Sequence, residues 1–393
     1  MISVSEALEA LFRLVAPLEA EDVPLREAAG RVLARPVTAR RTQPPFAASS
    51  MDGYALRRAE VEPDAMFKVM GEAAAGHGYD GALRAGQAVR IFTGAPIPKG
   101  ADFVVIQEDV TRRGDLITLG HGIGSKDNIR PAGGDFSQGD AMEAPRRLRP
   151  ADVALLAAMN IDRVPVTRRP RIALLATGDE LIQPGEEPGP DQIVASNSYG
   201  LEAMLRAAGA EVRMLPIARD TEASLRQAFA LAAGADLLVT IGGASVGDHD
   251  LIAPVMAALG MEQAFYKVAM RPGKPLMAGR LGEMAMIGLP GNPVSAMVCG
   301  EVFLRPVVDL MLGLGAAPAV RTMRALAEDI PANGPREHYM RARLGAEGVT
   351  PAERQDSSLL SVLARADALL VRAPSDPARQ KGEEVPCIEL HRT

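Results

Sequence analysis

No tryptophan occurs in this chain of 393 residues, and Phe and Tyr bring the aromatics to only 4%. Its cores must therefore be filled by Ala, Leu, Val and Met rather than by rings. Cysteine is scarcer still. Cys299 and Cys387 are the only two, with no CxxC and no Cys/His spacing, which excludes a disulfide framework or a zinc cluster within this sequence. No apolar run approaches the ~18 residues that a membrane helix requires. The first residues, MISVSEALEALFRL, carry Glu6 and Glu9 inside their apolar pattern and lack a basic stretch, so a signal peptide is not expected. Positive charge is not in excess either: 43 Lys and Arg stand against 49 Asp and Glu, a net charge of -6. Bulk charge thus gives no reason to expect a nucleic-acid surface. The short basic runs Arg146-Arg147-Leu148-Arg149 and Arg168-Arg169-Pro170-Arg171 lie beside proline and read as solvated connections. These absences describe a soluble cytoplasmic protein with neither nucleic acid nor membrane as partner.

What is present is length, glycine and proline. A chain this long exceeds one core and is expected to form about two to three domains. Residues 3–20 repeat apolar positions at helical spacing (Val4, Leu8, Leu11, Phe12, Val15, Leu18), and a second helix is expected over 25–34. Residues 36–52 are rich in Pro, Ser and Ala, with Pro44-Pro45 forbidding a helix. From 66 to 119 short strand patterns alternate with Gly and Pro turns, the mark of a small β domain, which closes with the Gly-rich segment 128–139. A helix follows over 150–159. From 171 to about 312 strands at 171–176, 211–217 and 236–241 alternate with helices at 197–208, 221–233 and 249–259, several of them stopped by glycine. Strands near 263–270, 275–279 and 284–288 precede a last long helix from Pro293. This alternation predicts an α/β domain with a largely parallel sheet. Beyond 321 the helical signal fades into a small β domain.

In such a sheet, ligands bind beyond the carboxyl ends of the strands. Three segments at such positions are unusual. Thr177-Gly178-Asp179-Glu180 follows the first strand, and its paired carboxylates suit a hard cation such as Mg²⁺, unless Asp179 merely caps a turn. Gly242 and Gly243 open a loop through Ser245 to Asp248, His249 and Asp250, where backbone N–H groups can approach phosphate. It is neither GxGxxG nor a P-loop. Asp248 and Asp250 make sense beside an anion if a divalent cation bridges them to it. Lys267, Arg271 and Lys274 surround the Pro272-Gly273 turn as a compact anion site, and Pro290-Gly291-Asn292-Pro293 presents another helix start nearby. Two anion sites close together suit a substrate with more than one negative group. The cysteines and the five histidines offer no support for nucleophilic catalysis; none of the histidines has HExxH spacing, and His249 reads as a helix N-terminal residue. Metal-assisted phosphate chemistry fits better.

Seven segments, PPFAASSMDGYAL (44–56), RIFTGAPIPKGADFVVIQED (90–109), NIRPAGGDF (128–136), ATGDEL (176–181), GGASVGDHD (242–250), MRPGKP (270–275) and GLPGNPVSA (288–296), occur in one order. Together they resemble the molybdopterin molybdenumtransferase family, which includes the bacterial MoeA proteins and the gephyrin E domain. The resemblance runs nearly end to end. It implies a multidomain α/β protein: a discontinuous N-terminal helical part (1–37 plus 138–170), an inserted β domain (38–137), a central three-layer α/β molybdopterin-binding domain (171–320) and a C-terminal β domain (321–393). It further implies a homodimer whose cleft combines the α/β domain of one subunit with N-terminal parts of the other. The implied reaction consumes adenylyl-molybdopterin and molybdate with Mg²⁺ and releases AMP, which makes the molybdopterin adenylyltransferase of the preceding step a natural partner. By similarity, Asp52, Thr93, Asp135 and Glu180 match positions important for activity. Asp220 and Asp250 match further acidic positions of the metal or pterin site, and Lys267 a basic one. Arg271 stands where many members have Lys. Lys274, Pro275 and Ser295 match the region associated with molybdate, which Arg341 and Ser357 would complete. Asp356 departs from the family's usual Gly beside that serine.

Overall fold

The computed structural model describes residues 1–242 and 251–390. Contacts gather the chain into two compact units, one made of Met1–Glu21, Gly30–Ala34 and Val166–Thr393, the other of Asp22–Ala29 and Arg35–Pro165.

The first unit is built on a six-stranded sheet. Its order is Glu211–Met214, Arg171–Ala176, Leu237–Ile241, Met284–Leu289, Met277–Leu281, Glu262–Tyr266. The first four strands run parallel and the last two pair antiparallel, so the sheet is parallel where the sequence alternates strand with helix and antiparallel where it does not. Successive residues of each strand face opposite sides. Ile172 and Leu174 pack with Leu201, Leu205 and Val302 on one side, whereas Ala173 and Leu175 pack with Leu225, Phe229 and Val255 on the other. Both faces are buried, and the result is three layers, as the near-continuous apolar strands predict.

Helices end where local chemistry ends them. Val4–Leu14 begins at a capping box in which Ser3 and Glu6 satisfy each other's amides, and stops before Pro17, short of the expected residue 20. Its buried face, Val4, Leu8 and Leu11, joins the larger core cluster. The long C-terminal helix of this unit runs as Pro293–Cys299, a π turn at Gly300–Leu304, then Arg305–Met311. Pro306 has no N–H to offer the turn before it, which widens there. The helix expected over 25–34 is absent. A 3₁₀ turn, Leu25–Glu27, is followed by Gly30 at φ +75° and the short strand Val32–Leu33, because glycine in the left-handed region ends the helix and two β-branched or bulky apolar residues extend after it.

A second sheet in this unit takes its strands from the C-terminal region, in the order Met270–Arg271, Glu337–Gly345, Ala368–Arg372, Glu384–Glu389, Thr322–Ala325. Its first strand is borrowed from the loop 267–275, which places Arg271 directly beside His338.

One ion pair braces the base of the parallel sheet. Arg168 donates to both oxygens of Asp236, each at 2.7 Å, and the Arg171 amide donates to the same carboxylate at 2.7 Å. Burial alone would raise the Asp236 carboxyl, but these bonds outweigh it and hold it below the usual carboxylate range. Its contribution to stability is therefore present above that range and lost as the pH falls through the lower folded value. Asp236→Ala leaves the mostly buried Arg168 guanidinium with Glu19 as its one remaining carboxylate, and should cost on the order of 2 kcal/mol in denaturant-induced unfolding at neutral pH. A loss within a few tenths of a kcal/mol of zero would show the pair to be dispensable.

The second unit holds another six-stranded sheet: Phe103–Ile106, Gly53–Leu56, Gln87–Ile91, Met66–Ala73, Leu116–Leu119, Val110–Arg113. All neighbours are antiparallel except Met66–Ala73 with Gln87–Ile91. Gly53 sits in the second strand, where a Cβ would come within 1.9 Å of the Val105 carbonyl oxygen. The helix Pro150–Ala158 also belongs here, begun by proline in its first turn and held by Asp152, which accepts from the Arg149 amide at 2.9 Å.

Candidate active site

At the carboxyl ends of the parallel strands of the first unit lies a cavity of about 680 Å³. Thr177 prolongs the first strand, its amide bonded to the Ile241 carbonyl at 3.0 Å, and the Gly242 amide reaches the Leu289 carbonyl at 3.1 Å. The strand ends are thereby held level. Gly242, at φ +94°, leaves no room for a side chain, since a Cβ would meet the Thr177 carbonyl at 2.7 Å. On the far side, Asn197 donates to the Gly291 carbonyl at 2.7 Å and ties the start of its helix to the turn 290–293.

Glu180, Asp220, Gly242 and Pro275 all line this cavity, so four residues singled out in the sequence converge on it. The Glu180 side chain folds back over Gly178; a Cβ on that glycine would lie 2.4 Å from Oε2. Asp179 behaves as a cap instead: its Oδ1 accepts from the Asp220 amide at 3.2 Å. Arg219, which the sequence did not flag, donates to the carbonyls of Asp179 at 2.7 Å and Leu181 at 3.3 Å, and thus fastens the loop that carries Glu180 to the one that carries Asp220.

The remaining residues fall into three groups. Gly243, Ser245, Asp248 and Asp250 lie outside the described residues. Residues 243–247 read Gly-Ala-Ser-Val-Gly, the spacing of a nucleophile elbow. Burial pushes the thiols of both cysteines above their ordinary range, which removes them as nucleophiles.

The second group is cationic. Lys267 (φ +70°) holds its ammonium 5.0 Å from the centre of the Tyr266 ring, and Arg271 and Lys274 are exposed on the same loop. Arg341 is fully buried. It donates through Nη2 to the Asp356 carbonyl at 2.9 Å, whereas Nε and Nη1 have no hydrogen-bond partner among the described residues. Ser295 is buried in the first turn of its helix. Ser357 offers its carbonyl to the Val294 amide at 3.0 Å, and it is the neighbouring Ser358 that lines the cavity. The Asp356 carboxylate, out of keeping beside an anion site, is engaged by the Ser358 hydroxyl at 2.6 Å and amide at 2.8 Å. Those bonds hold it below the usual carboxylate range.

The third group sits in the second unit. Asp52 accepts from both the amide and the hydroxyl of Thr93, each at 2.8 Å, and these bonds, with Arg90 nearby, keep its carboxyl low. Arg90 donates to the Gly53 carbonyl at 3.1 Å and to Gln107 at 2.6 Å, and lies over the Tyr54 and Phe92 rings. Asp135 is exposed, its segment fixed by its amide on the Gln43 carbonyl at 3.1 Å. The motifs 44–56, 90–109 and 128–136 are thus gathered in one place although far apart in sequence. Arg219 and Ser358 carried no periodic or motif signal, and only the loop contacts reveal them; Asn197 was expected as a helix start, but its bond to the Gly291 carbonyl was not.

Among the described residues no three His, Cys, Asp or Glu side chains cluster as a metal site, and no helix is long and apolar enough to cross a membrane. Glu180 and Asp220 nevertheless supply hard oxygen donors to one cavity, a donor set that suits Mg²⁺ completed by water and phosphate.

Comparison with known proteins agrees along the whole chain. Residues 2–160 match the MoeA N-terminal region (domain I and II), residues 173–309 a probable molybdopterin binding domain, and residues 324–390 the MoeA C-terminal region (domain IV). A molybdopterin molybdenumtransferase of Nostoc sp. is 33% identical, the match covering 99% of this chain and 94% of that one. Another, from Haemophilus influenzae, is 35% identical over 80% of this chain and 78% of its own. The crystal structure of a molybdopterin biosynthesis moeA protein from Pyrococcus horikoshii superposes with a TM-score of 0.85 at 28% identity, covering 99% of this chain and all of that one (100%).

Proposed function

The chain belongs to the MoeA family of molybdopterin molybdenumtransferases, and from that premise we propose that it cleaves adenylyl-molybdopterin to AMP and inserts molybdenum from molybdate into the dithiolene, in molybdenum cofactor biosynthesis. The observation that carries the reading is the convergence of Glu180 and Asp220 on one cavity at the carboxyl ends of the parallel strands. A phosphoanhydride needs oxygen donors for its counter-cation, and Glu180 and Asp220 bring them to this cavity.

Glu180 and Asp220 are the described residues that would hold Mg²⁺. When bound, the ion would neutralise the charge that builds on the phosphate oxygens as the anhydride breaks. The chain's own part is positioning. Arg219 keeps the two carboxylate loops together, and Asp179 spends its charge on the Asp220 amide rather than on phosphate. Arg271 and Arg341 supply fixed positive charge for an oxyanion. Asp52, held ionised by Thr93, is a further acidic group of the same reaction by family similarity. The reading also carries a homodimer, to be checked by light scattering.

The test is AMP release from adenylyl-molybdopterin by purified protein, with Mg²⁺ and with or without molybdate. Release that requires both, with metal appearing on the pterin, is the expected result. Tight pterin binding with no release under any condition would defeat the proposal.

A further inference from the structure

Apart from the strand-end cavity, the first unit holds a second hollow, of about 270 Å³, beside the short helix Leu360–Leu363. Met297 and Val298 reach it from the helix Pro293–Cys299, and Met204 from the helix Asn197–Ala207. Leu360, Leu363 and Ala364 form another wall. Leu360 is 38% exposed, so the hollow opens to solvent at that rim. The two methionines are already seated elsewhere. A Cβ on Gly200 would lie 2.8 Å from the Met297 sulfur, and one on Gly300 would lie 2.8 Å from the Met204 sulfur. Each thioether therefore rests against a glycine of the facing helix, and the space beside them stays open.

Glu301 is the one charged side chain in this lining. It is only 8% exposed. Standing three and four residues beyond Val298 and Met297, it falls on their face of the helix. It belongs to the π turn Gly300–Leu304, a distortion that recurs at functional sites. Its Oε2 accepts from Arg305 Nη1 at 2.9 Å, and no other bond reaches the carboxylate among the described residues. Arg305 itself lies outside the lining. Burial raises the Glu301 carboxyl, and Arg305 offsets that only in part. A carboxylate placed among apolar walls with one oxygen unengaged selects its ligand by charge. It repels anions, tolerates a neutral donor and gains a charge-assisted bond from an ammonium group. An apolar cavity of about 150 Å³ takes benzene, so this one has room for a ring and a short arm.

We propose that the hollow is a binding site for a small primary amine with an apolar body, an alkyl- or aralkylammonium ion. The ammonium group donates to Glu301, and the body lies against Met204, Met297 and Leu363. The site is separate from the strand-end cavity and does not depend on the reaction assigned to that cavity.

NMR of the full chain carrying ¹³C-methyl methionine reads the hollow directly, with the two signals assigned through Met204→Leu and Met297→Leu. Benzylammonium is the probe; benzyl alcohol and benzoate are neutral and anionic counterparts built on the same ring. Benzylammonium should shift both methyl signals saturably, with benzyl alcohol binding roughly tenfold more weakly and benzoate not at all. Glu301→Gln should lower the affinity for benzylammonium to that for the alcohol. Ala364→Trp, at an exposed rim position, should close the hollow to every probe, and it keeps the proposal testable if Glu301→Gln is misfolded by circular dichroism. Equal affinity for the three probes, undiminished benzylammonium binding in folded Glu301→Gln, or binding that survives Ala364→Trp would overturn the proposal. So would the absence of any shift with benzylammonium. Movement of the same signals with protein concentration alone would show that a second copy of this chain covers the hollow, and would overturn it too.

Discussion

Glu180→Gln should lower AMP release from adenylyl-molybdopterin by on the order of 10²-fold or more and leave the fold as it is. The side chain is exposed and rests over Gly178 rather than in a core, so its removal forfeits little packing. What it does lose is one of two described carboxylates that face the cavity, and a neutral amide is a poor substitute for a carboxylate at a hard cation. The position of that charge is itself specified. Gly178, at φ +150°, permits the loop to turn back, and Arg219 fastens its carbonyls. AMP release measured against Mg²⁺ concentration, together with thermal unfolding, separates the outcomes. Wild-type turnover in the variant would remove Glu180 from the chemistry, and a shifted unfolding transition would make its role structural.

Gly53→Ala should be the most damaging single methyl in the inserted β domain. Added at Gly53, it would sit 1.9 Å from the Val105 carbonyl oxygen and 2.9 Å from its carbon, backbone atoms that cannot swing aside as a side chain can. The strand pairs Gly53 with Ile106 on one side and with Ile91 on the other, so relief on either side breaks a ladder. A cost of about 3 kcal/mol is expected from overpacking of this kind. Because Asp52 precedes Gly53, the same displacement should loosen the Asp52–Thr93 bonds and reduce activity even where the protein remains folded. Urea unfolding followed by circular dichroism measures the first effect, and AMP release at low temperature the second. A variant as stable as the parent would show that the strand can shift freely there.

The alternation of strand and helix from 171 to 312 was readable because each periodic stretch ended in a glycine or a cap, and because strands apolar on both faces fit only a covered parallel sheet. Periodicity failed where a single residue overrode it. Gly30 turned an apparent helix into a 3₁₀ turn and a strand, and Pro306 broke the long helix with a π turn. At the site, Asp220 came from the family resemblance alone, whereas carboxylates and glycines in strand-end loops were visible as chemistry, whence Glu180 and Gly242. Arg219 was not, since what matters there is its grip on backbone carbonyls, and side chain to backbone bonds leave no pattern in sequence. Asp356 looked repulsive beside an anion; its bond from the Ser358 hydroxyl, which the sequence did not show, was the answer.

The helix Val4–Leu14 is made well before its partners, for Val4, Leu8 and Leu11 belong to a core that also draws on residues from 265 to 388, and the Ile2 amide bonds to the Lys267 carbonyl. On a ribosome, at ~5–20 residues per second, those partners emerge tens of seconds later. The inserted unit, Asp22–Ala29 with Arg35–Pro165, has left the tunnel by then. During synthesis the opening helix is therefore an amphipathic segment with an uncovered greasy face. A holding chaperone has that interval in which to act on it.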